Sequence, residues 1–232
     1  MASRYAVGFD FDHTLGLDHQ LERTVILEML ATYTSGHDTS YDAAAADAGV
    51  DDVLKSYRVG SLTPEVAVAG FLEQFVTVHG AAIMDTVSQF RELVIARAKE
   101  FVTPIDGALE LLATLSQMGV PIAILTNGWS PFQEEKARLI HFSGPVLVSE
   151  RIGYRKPAPE AFALLAQHLA CDPVDMLFVG DDPGADCAGA TAAGMQAVWF
   201  DWENRSYPTD IAPPAHTIKS LAELLPIVQG RG

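Results

Sequence analysis

Asp10, Asp12 and Thr14 occupy alternate positions in the stretch Asp10-Phe11-Asp12-His13-Thr14. Two carboxylates so spaced can serve as a nucleophile and an acid–base group, and a hydroxyl can meet phosphate oxygens. Thr126-Asn127 add a second hydroxyl and an amide, and Lys156 adds a cation. The run Gly180-Asp181-Asp182-Pro183-Gly184-Ala185-Asp186 adds three more carboxylates. Together these types form a phosphoryl-transfer set: carboxylates for nucleophile and metal, polar groups for phosphate oxygens, and a cation for developing charge. Each piece alone has a plainer reading. Aspartates at loop starts commonly cap helices, which applies to Asp182 and Asp186 alike. Lys156 before Pro157 fits a surface loop, and Thr126-Asn127 fits a turn. A calcium loop does not fit, because the EF-hand glycine position holds Leu15 and the twelfth position holds Leu21.

These residues follow apolar runs of the kind that form buried parallel strands. Tyr5 to Phe9 runs into Asp10, Val120 to Leu125 into Thr126, and Met176 to Val179 into Gly180-Asp181. Pro145 to Val148 ends at Ser149-Glu150 ahead of Lys156, and Gln196 to Phe200 is a fifth run. Helical patterns lie between them: Asp106 as N-cap of a helix with Leu109, Leu112 and Leu115 on one face, then Pro159 to Leu169 and Ala185 to Ala193. Strand and helix in alternation imply right-handed crossovers and an α/β, doubly wound parallel sheet. In such sheets ligands bind beyond the carboxyl ends of the strands, where every candidate residue falls.

Residues 17–102 read differently, as helical patterns without a clear strand: Leu21 to Tyr33, Tyr41 to Ala48, Pro64 to His79 and Ile83 to Phe101. The expected organisation is a core of residues 1–16 and 103–232 with a small helical domain of residues 17–102 inserted after the first strand.

The chain has 232 residues, 49% of them hydrophobic, the balance of a soluble globular protein. No apolar run approaches the ~18 residues of a membrane span, and the N-terminal stretch lacks the apolar core of a signal peptide. Two cysteines, Cys171 and Cys187, make no disulfide framework, so a reducing cytoplasm is expected. A net charge of −15 argues against a nucleic-acid surface. It also means that a phosphorylated substrate needs cations supplied locally at the site.

With four motifs in order at successive strand ends, the sequence resembles the haloacid dehalogenase superfamily of phosphohydrolases. The resemblance rests on Asp10-Phe11-Asp12-His13-Thr14, Thr126-Asn127, Lys156 within Tyr-Arg-Lys-Pro-Ala-Pro-Glu, and Gly180 to Asp186. It implies a Rossmann-like core beneath a mobile helical cap that selects the substrate, a small phosphorylated metabolite. It also implies that Asp10 attacks phosphorus while Asp12 protonates the leaving oxygen and then activates water. Thr126 would bind the phosphoryl group, with Asn127 lining the site and Lys156 steadying the charge. Asp10, Asp12 and Asp181 would surround Mg²⁺, supported by Asp186 and, more peripherally, Asp182.

Charge considerations agree with those roles. Two like charges ~4 Å apart repel by ~4 kcal/mol at an effective dielectric near 20, so Asp10, Asp12, Asp181 and Asp186 need cations. Mg²⁺ and Lys156 supply three positive charges, and a protonated Asp12 leaves three negative ones. A second carboxylate at Asp12 argues for phosphoryl chemistry over dehalogenation, and Thr14 resembles the phosphatase pattern more than the sugar-mutase one. A sugar-phosphate mutase and a phosphoacceptor module without turnover are the competing readings. Many relatives have glycine where His13 stands; histidine tolerates the positive φ of such a turn and is expected to face solvent. Lys55, Tyr57 and Arg58 could read the leaving group, but they are expected to be solvated helix or loop residues, and His37 and His79 are read as ordinary residues without a functional role.

Overall fold

The protein is described by a computed structural model that covers residues 5–36, 40–75 and 81–230. His37 and His79 lie outside the described residues. The chain divides into two compact units, Met1–Asp18 with Val102–Gly232, and His19–Phe101.

In chain order, β1 (Ala6–Phe9) and β2 (Gly16–Leu17) precede the helices α1 (Leu21–Gly36), α2 (Ala43–Arg58), α3 (Pro64–Leu72), α4 (Ala81–Val87) and α5 (Phe90–Phe101). Then come β3 (Thr103–Pro104), α6 (Ala108–Gln117), β4 (Ile122–Thr126), α7 (Phe132–Leu139), β5 (Val146–Val148), α8 (Ser149–Ile152) and α9 (Pro159–Leu169). The chain finishes with β6 (Met176–Gly180), α10 (Gly189–Ala192), β7 (Gln196–Phe200), β8 (His216–Ile218) and α11 (Leu224–Gln229).

The first unit is built on a parallel six-stranded sheet of order β5-β4-β1-β6-β7-β8. This is the Rossmann order: the chain leaves β1 towards β4 on one side and leaves β6 towards β7 on the other. The switch point therefore lies between β1 and β6. Side chains alternate across the sheet. Val7, Phe9, Ile124, Leu177, Val179, Val198 and Phe200 pack on one face with α6 residues. Ala6, Ala123, Leu125, Phe178 and Trp199 pack on the other against Phe162 and Leu165 of α9. Burial on both faces explains why these strands are near-continuous apolar runs.

Three local features depart from expectation. Asp106 does not cap α6; Gly107, at φ 82°, takes the cap position with no side-chain bond. Consequently Ala108, Leu111, Leu112 and Leu115 form the buried face, and Leu109 is exposed. The segment after β6 is not one α-helix, because Pro183–Ala188 forms a π-type turn before α10. The edge strand β8 was not evident because only Ile218 of its three residues is buried.

In the second unit α1 packs on α2 and α5, and α2 on α3. Asp42 caps α2 through contacts of 2.9 and 3.1 Å to the amides of Ala44 and Ala45. Thr63 caps α3, with Pro64 in its first turn. Tyr57 is buried and donates to the buried Glu22 at 2.7 Å, while Arg58 donates to the same carboxylate at 3.1 Å. The expectation of a solvated Tyr57 is therefore corrected: it anchors a carboxylate inside the helical unit. Lys55 is exposed. No helix among the described residues is long and apolar enough to cross a membrane.

Candidate active site

Strand register places the acidic residues together. Phe9 lies opposite Val179 of β6 and Ile124 of β4, and the Asp10 amide donates to the Val179 carbonyl at 2.9 Å. Asp10 therefore emerges at the level of Gly180-Asp181 on one side and Leu125-Thr126 on the other. The π-type turn brings Asp186 back towards the strand end. Its amide and that of Cys187 both donate to the Asp182 carbonyl, at 3.0 and 3.2 Å. Close approach requires glycine at 180, since a Cβ there would lie 2.2 Å from Asp186 Oδ2.

The result is a trio, Asp10, Asp181 and Asp186, each offering an oxygen within 4.8 Å of the others. Lys156 Nζ donates to Asp10 Oδ1 at 2.6 Å and to Asp186 Oδ1 at 2.7 Å. Asn127 fixes that lysine's backbone, donating to its carbonyl and accepting from its amide, both at 2.9 Å. Asp181 instead meets the Arg205 guanidinium at 3.1 Å. Asp182 turns away and caps the next turn, accepting from the Gly184 and Ala185 amides at 2.7 Å. Thr126 and Thr14 are buried, and neither hydroxyl has a partner among the described residues.

Burial dominates the electrostatics. It pushes the Asp10 carboxyl up to about 7, with Asp186 and Asp12 adding to the rise and Lys156 opposing it. Asp181 is pushed up to about 6 by burial and then by Asp10, against the pull of His13 and Arg205. Asp186 is raised as well, by burial, with Lys156 opposing. Burial disfavours the Lys156 ammonium, but Asp10 and Asp186 outweigh it and hold that group above the ordinary lysine range. The Lys156 ammonium and the Arg205 guanidinium still leave the three carboxylates one positive charge short. All-oxygen donors at a strand end with a deficit of charge suit a hard divalent cation such as Mg²⁺, so the trio fits the metal expected.

Asp12 lies outside the trio. Its Oδ1 accepts from Lys136 and its Oδ2 from Gln133 at 3.1 Å, both on α7. These two donors hold Asp12 on the α7 side, apart from the other three carboxylates that were expected to crowd it. Sequence reasoning missed Lys136 and Gln133. The available signal was that residues 132, 133, 136 and 137 define the buried face of α7, and two of those four are polar. His13 adopts φ 58°, is exposed, and stacks on Trp202 with 6.4 Å between ring centroids.

The chain is similar to known phosphatases and hydrolases. A ribulose-1,5-bisphosphate 5-phosphatase of Halopiger xanaduensis is 37% identical over 134 residues, which cover 53% of this chain and 56% of that protein. A phosphoserine phosphatase of Thermus thermophilus is 36% identical over 105 residues, covering 44% and 42%. The chain thus spans about half the length of the curated relatives it matches. Among solved structures, the magnesium-bound HAD-hydrolase YfnB of Bacillus subtilis superposes with a TM-score of 0.70 at 24% identity, covering 97% of this chain and 99% of that one. A 2-haloacid dehalogenase of Pseudomonas syringae gives 0.75 at 20% identity, covering 99% and 100%. Both share the fold. The sequence profile of haloacid dehalogenase-like hydrolases matches residues 6–194, the span from β1 through the trio. With the motif residues gathered at the switch point of a Rossmann-ordered sheet, the chain belongs to the haloacid dehalogenase-like hydrolase family.

Proposed function

We propose that the protein is a Mg²⁺-dependent phosphatase that hydrolyses a small-molecule phosphate monoester through an aspartyl-phosphate on Asp10. The observation that carries this reading is the trio Asp10, Asp181 and Asp186, in which Lys156 bridges the buried Asp10 and Asp186 and Arg205 meets the half-buried Asp181. Phosphatase names among the relatives support it, including those acting on ribulose bisphosphate, phosphoserine and glyceraldehyde 3-phosphate.

Asp10, Asp181 and Asp186 would hold the cation. Once bound, Mg²⁺ would neutralise charge on the carboxylates and on the phosphoryl oxygens. Asp10 Oδ then attacks phosphorus as the ester P–O bond breaks, and the leaving oxygen takes a proton from Asp12. Water next attacks phosphorus and gives a proton to Asp12, releasing phosphate and restoring the Asp10 carboxylate. Lys156 keeps Asp10 oriented and balances charge, and Asn127 holds Lys156 in place. Thr126, a buried hydroxyl with no partner among the described residues, donates to a phosphoryl oxygen. Asp12 separates this reading from dehalogenation, which needs no proton donor at that position.

Turnover of p-nitrophenyl phosphate should require Mg²⁺ and vanish in Asp10→Asn. Undiminished turnover in that variant would remove Asp10 as nucleophile. A screen of phosphate esters that includes glucose-phosphate isomerisation separates phosphatase from mutase.

A further inference from the structure

Lys136 is 1% exposed, with its ammonium 4.7 Å from the ring centroid of Phe132 and 5.3 Å from that of Phe11. An ammonium withdrawn from water this far is unfavourable without a charged partner. Its partner is Asp12 Oδ1, with Asp18 at 3.5 Å. Gln133, one helical turn earlier and 4% exposed, brings its amide to Asp12 Oδ2. Even the path of that side chain is specific, since a Cβ at Gly128 would lie 2.5 Å from Gln133 Nε2. Each oxygen of Asp12 therefore has its own donor, and both donors come from the buried face of α7.

We infer that Lys136 and Gln133 are positioning residues that hold the Asp12 carboxyl in the orientation needed to pass a proton to the leaving-group oxygen. The inference rests on the phosphatase reading and adds to it the device that makes Asp12 effective. A carboxyl on a short turn has two free torsions, and proton transfer tolerates little misplacement. Two donors approaching different oxygens remove both torsions. Each carboxylate oxygen has a further lone-pair direction, so these contacts leave room for the proton that is transferred. The balance of the step is unchanged: Asp10 gains the P–O bond, the ester P–O bond breaks, and the Asp12 proton goes to the departing oxygen.

Leaving-group dependence tests this. 2,4-Dinitrophenolate departs without a proton, 4-nitrophenolate needs one weakly, and phenolate needs one strongly. With Mg²⁺ present, kcat/KM is measured on the three aryl phosphates for wild type, Lys136→Met and Gln133→Leu, with circular dichroism and melting for each. Lys136→Met should lose about 100-fold or more on phenyl phosphate and less than about 10-fold on the dinitrophenyl ester, the range expected for a misplaced general acid. Gln133→Leu should tilt the series in the same direction by a smaller factor. That variant removes one neutral donor and keeps the Lys136–Asp12 pair, so it decides the question alone if Lys136→Met does not fold. Equal losses on all three esters, or no loss, would overturn the inference and leave Lys136 with a structural role. Absence of wild-type turnover on every ester would instead count against the phosphatase reading itself.

Discussion

Replacing Asp181 with asparagine isolates the charge stress in the trio. Burial and Asp10 raise the Asp181 carboxyl from 3.8 to about 6 in the folded protein. A folded value above the unfolded one means that the folded state binds more protons between those two pH values. Stability is therefore fully present below about pH 4 and falls as pH rises to about 6. At about 1.4 kcal/mol per pH unit of displacement, the charged Asp181 costs the metal-free protein about 3 kcal/mol at pH 8. Asparagine carries no such penalty. Without divalent metal, Asp181→Asn should gain on wild type by about 2–3 kcal/mol between pH 4 and pH 8, seen as a shift of about 5–10 °C in the Tm difference. Saturating Mg²⁺ at pH 8 should narrow or reverse that advantage, because the metal stabilises the form with the carboxylate ligand. Melting by circular dichroism in chelator and in Mg²⁺, at both pH values, gives all four comparisons. A Tm difference in chelator that does not change with pH would refute the reasoning.

Three further outcomes follow from single contacts. Gly180→Ala would put a Cβ 2.2 Å from Asp186 Oδ2, so the trio must open; stability should fall by about 1–3 kcal/mol, with turnover reduced more than tenfold, read by melting and steady-state kinetics. Thr126→Val removes a buried hydroxyl without a partner among the described residues, so the protein should melt at an unchanged or slightly higher temperature while kcat/KM for p-nitrophenyl phosphate drops. Tyr57→Phe leaves the buried Glu22 short of its 2.7 Å donor and should cost about 1–3 kcal/mol in urea unfolding, with little effect on metal affinity by calorimetry.

The parts of this fold that the sequence displayed are those with a strong local signature. β1, β4, β6 and β7 are buried on both faces and so appear as apolar runs, and the reactive residues follow directly after them. Asp10 and Asp181 could thus be placed from strand ends alone, whereas Lys156 lies beyond β5 with α8 between them. The division of labour between Asp182 and Asp186 could not, because it depends on one π-type turn that aims Asp182 at backbone amides and Asp186 at Lys156. Helical periodicity carries no information about such a turn. The surroundings of Asp12 were hidden for a different reason: Lys136 is 124 residues away in sequence and sits on α7, a helix that is not among the patterns read from the sequence. Tyr57 was obscured likewise, since its partner Glu22 is 35 residues distant and on another helix. Long-range pairing of buried polar groups is a property of the packed state, and the sequence shows it only as polar residues on a buried stripe.

The central claim is that phosphorus bonds to the carboxylate of Asp10. The most direct measurement is to quench the protein with borohydride during turnover of p-nitrophenyl phosphate in Mg²⁺, then examine the peptide carrying residue 10 by mass spectrometry. An acyl phosphate at Asp10 is reduced to the alcohol, so homoserine should appear at position 10 in wild type and only when substrate is present. Steady turnover with residue 10 recovered as unmodified aspartate, and reduction found at another carboxylate, would contradict the account.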